Sequence, residues 1–242
     1  MLYAALDESL AVVYQHPLVL TVNSKSQANR LKKRQRVTAS RRLTYKQTTA
    51  DCISEVLEEL ERTKQAYMFL GAYSVGSSWR SRYTEAQYIQ YHLEVYITSI
   101  TSLIDKLLIL INQIYQFGLI QNHVRMKQIV DRLKSGGHEG LVTYLAAIQA
   151  GTGTVKLLRN QTQHVRRFSD QALLGIHRGE LELRSVKKEN NYDQKLLLEK
   201  KVKAYRRVKQ AQITANNKQV YKVIGLIFDE IEPIYKQSML DL

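Results

Sequence analysis

Pro17 and Pro233 are the only prolines in this chain of 242 residues. Everything between them is free of the strongest helix breaker. Leu, Ile, Gln, Lys, Arg, Glu and Ala dominate that span, and these include the best helix formers. The chain is therefore expected to be all-α. Its 44% apolar content is ordinary for a folded protein. The length suffices for one large domain with a real core, or for one domain plus a smaller appendage.

Glycines punctuate the pattern, and their clusters are expected to be loops: Gly71 and Gly76, Gly118, Gly136 to Gly140, Gly151 and Gly153, Gly175 and Gly179. The first 50 residues are the least patterned. Leu18 to Val22 reads as a short strand or an extended segment after Pro17. From Asp51 to about Leu70, the positions Ile53, Val56, Leu57 and Leu60 keep helical spacing. Thr84-Glu85-Ala86-Gln87 fits a capping box, opening a helix expected to run to about Phe117 and to span roughly 50 Å. Shorter helices are expected near 122–134 and 139–150, and another from about Thr154 to Leu174. The region Arg178 to Asn191 reads as a loop. A helix begins near Tyr192, and the last helix carries the stripe Val220, Val223, Ile224, Ile227, Phe228, Ile231 and Ile234, which must be buried.

The net charge is +14, a field that attracts polyanions, nucleic acid first among them. No acidic residue occurs from Ser9 to Ala50. That run holds Lys25, Lys32, Lys33, Arg34, Arg36 and Lys46 and lacks interleaved aromatics before Tyr45, which suits phosphate contact over base stacking. A second basic stretch runs from Lys187 to Arg207. Tyr96 to Ile120 is the most apolar region, but Asp105 and Lys106 stand at its middle, against a membrane span. With one cysteine, Cys52, there is no internal disulfide and no cysteine-based zinc site. The chain reads as soluble and cytoplasmic, with no membrane partner.

Most enzyme signatures are missing. There is no phosphate-binding glycine loop, no H-E-x-x-H pair and no G-x-S-x-G elbow. What remains is Arg159-Asn160-Gln161-Thr162-Gln163-His164. An arginine followed by a histidine at such spacing is expected roughly once by chance in this composition. It does recur from Arg132 to His138, across a Gly-Gly break. Requiring asparagine after the arginine leaves Arg159 alone.

This segment resembles the R-x(4–6)-H motif of the HEPN superfamily, whose members are helical bundles and include many metal-independent ribonucleases. The stretch from Tyr91-His92-Leu93-Glu94-Val95-Tyr96 through Asp105-Lys106 to Phe117-Gly118-Leu119 is similar to the long helix of one bacterial HEPN family. The resemblance covers about residues 51–174. It implies a HEPN-like bundle with a long central helix and additional C-terminal helices. The expected organisation is a basic N-terminal segment, 1–50, before a helical domain with a C-terminal extension, 51–242.

The implied activity is endonucleolytic cleavage of RNA by attack of its 2′-hydroxyl on the adjacent phosphate, with no metal or other cofactor. Arg159, Asn160 and His164 are the implied catalytic residues. A histidine can move the proton, an arginine can hold the phosphate and its developing charge, and Asn160 orients the histidine or binds a phosphate oxygen. Positions five apart on a helix lie about 140° apart around its axis. Two copies related by a two-fold axis would bring two arginines and two histidines to one cleft, and HEPN ribonucleases are commonly such dimers.

Asp105 and Glu94 lie with Thr98, Thr101 and Asn112 on one polar line and are second-rank candidates for orienting the site, with His92 and Tyr96 nearby. Arg166, Arg167, Lys32, Lys33, Arg34 and Arg36 are the expected RNA contacts. The implied role is that of a toxin or defence effector. Its expected partners are RNA, a second copy, and a nucleotidyltransferase-like antitoxin or a larger defence complex. The alternative is a catalytically inactive helical module for nucleic-acid binding or assembly.

Overall fold

The computed structural model describes residues 10–20, 41–71, 83–164, 170–185 and 192–241, with the side chains of 41–42 and 154–164 outside that description. Every regular element among these residues is helical. We label them α1 (Arg41–Gly71), α2 (Glu85–Ile114), α3 (Met126–Ser135), α4 (Glu139–His164), α5 (Gln171–Ser185) and α6 (Tyr192–Asp241). A 3₁₀ turn, Gln121–His123, lies between α2 and α3. Short helical segments occupy 10–14 and 17–20.

The chain forms two compact units and passes between them inside α1, α2, α4 and α6. The first comprises residues 1–60, 101–153 and 217–242, and the second 61–100 and 154–216.

In the first unit, the stripe expected on the last helix is the centre of the core. Ile224, Ile227, Phe228 and Ile231 are fully buried. Ile234 is only half-buried, and Tyr235 takes the next core position instead, where its ring stacks on Tyr45 at 5.9 Å. Tyr45 also donates a hydrogen bond to the Ile114 carbonyl at 3.1 Å. These interactions extend α1 ten residues before its expected start, through a threonine-rich stretch whose local propensity is modest. Lys106 pairs with Glu55 at 2.8 Å, which accounts for a charge in the most apolar helix.

Residues 18–20 are helical and not extended; positions 21 and 22 lie outside the described residues. Pro17 takes the first helical position, where its missing N–H costs nothing. Buried His16 caps that turn, its Nδ1 accepting the Leu18 N–H at 3.1 Å. The ring proton therefore belongs on Nε2, which donates to Asp229 of α6 at 3.0 Å, and the ring edge meets Phe228 at 5.4 Å.

Glycine sorts into two kinds. Gly118 and Gly137 sit at φ +70° and +77° beyond the ends of α2 and α3, where a side chain is disfavoured. Gly151 and Gly153 do not break the chain as their clustering suggests, because α4 runs through them. The helical cost of a glycine, about 1 kcal/mol, is offset by packing at Gly151. Thr152 between them is buried, and a Cβ on Gly151 would stand 3.3 Å from Gln219 Nε2. Gly175 and Gly179 likewise lie inside α5, so residues 178–185 are helix and not loop. The two helices expected from Tyr192 onward are a single helix, α6, which continues through Pro233.

Candidate functional site

The motif residues Arg159, Asn160 and His164 lie on the last turns of α4, in the second unit. The backbone is helical from Glu139 through His164, so the angular separation expected of positions five apart applies to Arg159 and His164. Their side chains are outside the described residues, as are Arg166, Arg167, Lys32, Lys33, Arg34 and Arg36 in full.

The same unit also holds the end of α1, the first half of α2, α5 and the first half of α6. The start of α2 is fixed by the capping box read from sequence. Thr84 Oγ1 accepts the Gln87 N–H at 3.2 Å, and Gln87 Oε1 accepts the Thr84 N–H at 2.9 Å. The remaining exposed donors are taken from another helix: Glu180 of α5 accepts the N–H groups of Glu85 and Ala86 at 2.9 and 3.1 Å. A carboxylate there also opposes the positive end of the helix dipole. Thr84 Oγ1 further bonds His177 Nδ1 at 2.9 Å, and Arg184 donates to the Tyr83 carbonyl at 2.9 Å. These bonds join residues 93 to 101 positions apart in the chain, which is why that segment reads as a loop in the sequence.

Replacing Glu180 with alanine strands two helix-end donors. We expect a loss of about 1.5–3 kcal/mol, measured by urea unfolding, with Glu180→Gln recovering part of it. Equal stability of all three proteins would remove this account of the α5 clamp.

Asp170 is the cap of α5 and its tie to α6. One carboxylate oxygen accepts the N–H groups of Ala172 and Leu173 at 3.0 and 3.3 Å. The other accepts from the Tyr205 hydroxyl and Lys209 Nζ, each at 2.9 Å. Burial alone would raise the acid's pKa, but the bonds from Lys209 and Tyr205 and the lysine's charge outweigh it, and the net shift is downward. Burial, reinforced by the bond to this carboxylate and its charge, holds the Tyr205 hydroxyl protonated. An acid depressed in the folded state stabilises it fully above its unfolded pKa and loses that contribution as pH falls through the folded value. Asp170→Asn should therefore flatten the decline in stability below about pH 4, read as unfolding midpoint against pH. An unchanged acid limb would overturn this assignment.

The second-rank candidates differ in setting. Glu94 is half-buried in the second unit and accepts a hydrogen bond from Gln90 at 2.9 Å. Asp105 is exposed and belongs to the first unit. Asn112, on the same polar line, is a brace: its amide accepts the Leu119 N–H and donates to the Leu119 carbonyl, at 3.1 and 3.0 Å. Tyr96 is buried and accepts a 2.6 Å hydrogen bond from Asn216. His92 sits in an aromatic cluster, stacked on Phe69 at 5.2 Å with Tyr88 and Tyr91 edge-on at 4.4 and 5.1 Å, and burial lowers its pKa.

A feature missed in the sequence is a cleft of about 430 Å³ in this unit, lined by Gly71, Glu85, Glu199, Val202, Lys203, Arg206, Arg207 and Gln210. Its signal is present in the second basic stretch, but only a helix with Lys203, Arg206 and Arg207 on one side makes it a surface. Arg206 forms an ion pair with Glu85. Among the described residues there is no group of three or more side chains suited to a metal ion, and no helix is long and apolar enough to cross a membrane.

The described chain is all-α, with a capped long helix, α2, and an Arg-Asn…His segment at the end of α4. The model of the Cthe2314-like HEPN family matches residues 53–239, well over half of the chain, and the chain belongs to that family. No curated protein and no solved structure matches it.

Proposed function

We propose that this chain is a metal-independent endoribonuclease acting as a homodimer. Arg159 binds the scissile phosphate, His164 transfers the proton, and Asn160 orients the histidine or a phosphate oxygen. The observation that carries the reading is the placement of Arg159-Asn160 and His164 within one continuous helix of a HEPN-family chain. In-line attack of the 2′-hydroxyl forms a bond from that oxygen to phosphorus, and the 5′-oxygen leaves with a proton. The products are a 2′,3′-cyclic phosphate and a 5′-hydroxyl, and DNA, which lacks the nucleophile, is spared. One helix carries its arginine and histidine positions about 140° apart, so the reading takes the site to be a cleft shared by two copies.

On this reading, residues 1–50 are a basic segment preceding the HEPN domain and its helical extension at 51–242. Arg166, Arg167 and Lys32 to Arg36 supply phosphate contacts, and Glu94 and Asp105 are positioning residues. The biological setting is that of a toxin or defence effector, held in check by a nucleotidyltransferase-like antitoxin or built into a larger complex.

The test is incubation of the purified protein with RNA in excess EDTA, beside Arg159→Ala and His164→Ala. Cleavage by the parent and its loss in both variants is the expected result. Equal cleavage by all three, or none by the parent, overturns the proposal. The second outcome, combined with retained RNA binding, would leave a helical nucleic-acid-binding module.

A further inference from the structure

The first half of α6 and the start of α2 bring cations and exposed aromatic rings into one compact unit. From Tyr192 to Lys209, α6 carries seven lysines and arginines against Asp193 and Glu199. Lys203 and Arg207, one turn apart, are exposed beside the 430 Å³ cleft, and Arg206 lies deeper in it, paired with Glu85. Glu85 opens α2, and three residues on stands Tyr88, whose hydroxyl feels the Arg206 charge. Tyr88 leads directly into the ring cluster of Phe69, Tyr91 and His92. Phe69 and Tyr91 are 50% and 61% exposed, unusual for rings packed into one cluster. Gly71, two residues beyond Phe69, lines the cleft. Tyr88 stands between the cleft and the ring cluster on the face of α2 that carries Glu85 one turn before it and His92 one turn after it, inside a single compact unit.

We infer that this surface is a binding track for single-stranded RNA, with Lys203 and Arg207 on the phosphates and the Phe69–His92–Tyr91 cluster as the stacking platform for a base. The pairing of a cationic groove with exposed rings suits unpaired nucleic acid, because a base inside a duplex offers no free face. RNA is chosen over DNA because the cleft also presents Glu199, an exposed carboxylate able to accept a hydrogen bond from a ribose 2′-hydroxyl. The track deepens the ribonuclease reading by naming the form of its substrate, yet it uses none of the residues proposed for cleavage.

The experiment measures binding, not turnover, with the His164→Ala chain and a labelled oligoribonucleotide, single-stranded or annealed to its complement. The single strand is expected to bind at least about tenfold tighter than the duplex, and tighter than the same sequence as DNA. Phe69→Ala with Tyr91→Ala, both at exposed positions, should weaken binding roughly 5- to 100-fold, the range for removing the stacking of one base, and leave the salt dependence unchanged. Lys203→Ala with Arg207→Ala should weaken it too and flatten the slope of log K against log salt by about 0.7 for each phosphate no longer neutralised. Circular dichroism confirms that each variant folds. Duplex or DNA bound as tightly as single-stranded RNA, or parental affinity in both double variants, overturns the inference. Failure of the parent chain to cut RNA while this binding pattern holds would sink the ribonuclease reading and leave the track standing.

Discussion

His164→Ala is expected to lower the rate of RNA cleavage roughly 10²- to 10⁴-fold, the usual contribution of a positioned acid or base. Arg159→Ala should cost a comparable factor of about 10²–10³, because the guanidinium acts where charge builds on the phosphate. The two losses should not multiply, since both side chains serve one transition state. Excess EDTA should leave the parent rate unchanged. A 2′-deoxy substitution at the cleaved nucleotide should abolish cutting there while binding persists. Dimerisation adds a further expectation. Specific activity should fall on dilution in step with the appearance of monomer by light scattering. A rate per chain that stays constant through that transition would show that one copy suffices and would remove the two-copy cleft.

Phe228→Ala is the substitution expected to harm the fold most, by about 3–5 kcal/mol, through the forfeited transfer energy and the cavity left behind. Phe228 is fully buried on α6, and its ring packs against the edge of His16. The cavity would open beneath the residue that caps the turn at Pro17 and holds Asp229. A loss this large approaches the whole stability of a typical domain, so the variant should show a lowered urea midpoint or fail to accumulate. Phe228→Leu retains most of the volume and should lie much closer to the parent. A stability for Phe228→Ala within about 0.5 kcal/mol of the parent's, the range of a neutral surface change, would mean that this core does not hold the first unit together.

Much of the helical framework is legible in the sequence because it rests on local rules. The capping box at Thr84 is readable since its donors and acceptors lie within three residues. The buried stripe of α6 is readable because burial repeats with the helical period. The boundaries that local reading misplaces depend on partners distant in sequence. Residues 178–185 look polar and glycine-marked, and they become helix when His177, Glu180 and Arg184 meet the start of α2. A Cβ at Gly179 would stand 3.2 Å from Leu198, a close approach that no local pattern announces. Gly151 fails as a break for the same reason, a Cβ there standing 3.3 Å from Gln219 Nε2.

The candidate site divides along the same line. Arg159, Asn160 and His164 stand out through a short motif, and the family match, residues 53–239, spans them. His16, which has no constellation in the sequence, fastens the N-terminal turns to α6. The second basic stretch is visible there as charge alone. Folding sets Lys203 and Arg207 with Glu85 around one cleft and gathers the rings of Phe69, Tyr91 and His92 in the same unit.

The order of residues, through scarce proline, helical periodicity and one Arg-Asn…His segment, was enough to make this chain helical and to mark its family. Which polar stretches become helix, which glycines bend the chain, and which cations line a cleft were decided by packing. Those outcomes depend on pairs of residues up to about two hundred positions apart in the chain, as His16 and Asp229 are. The free energy of such long-range packing outweighs local preferences of about 1 kcal/mol per residue.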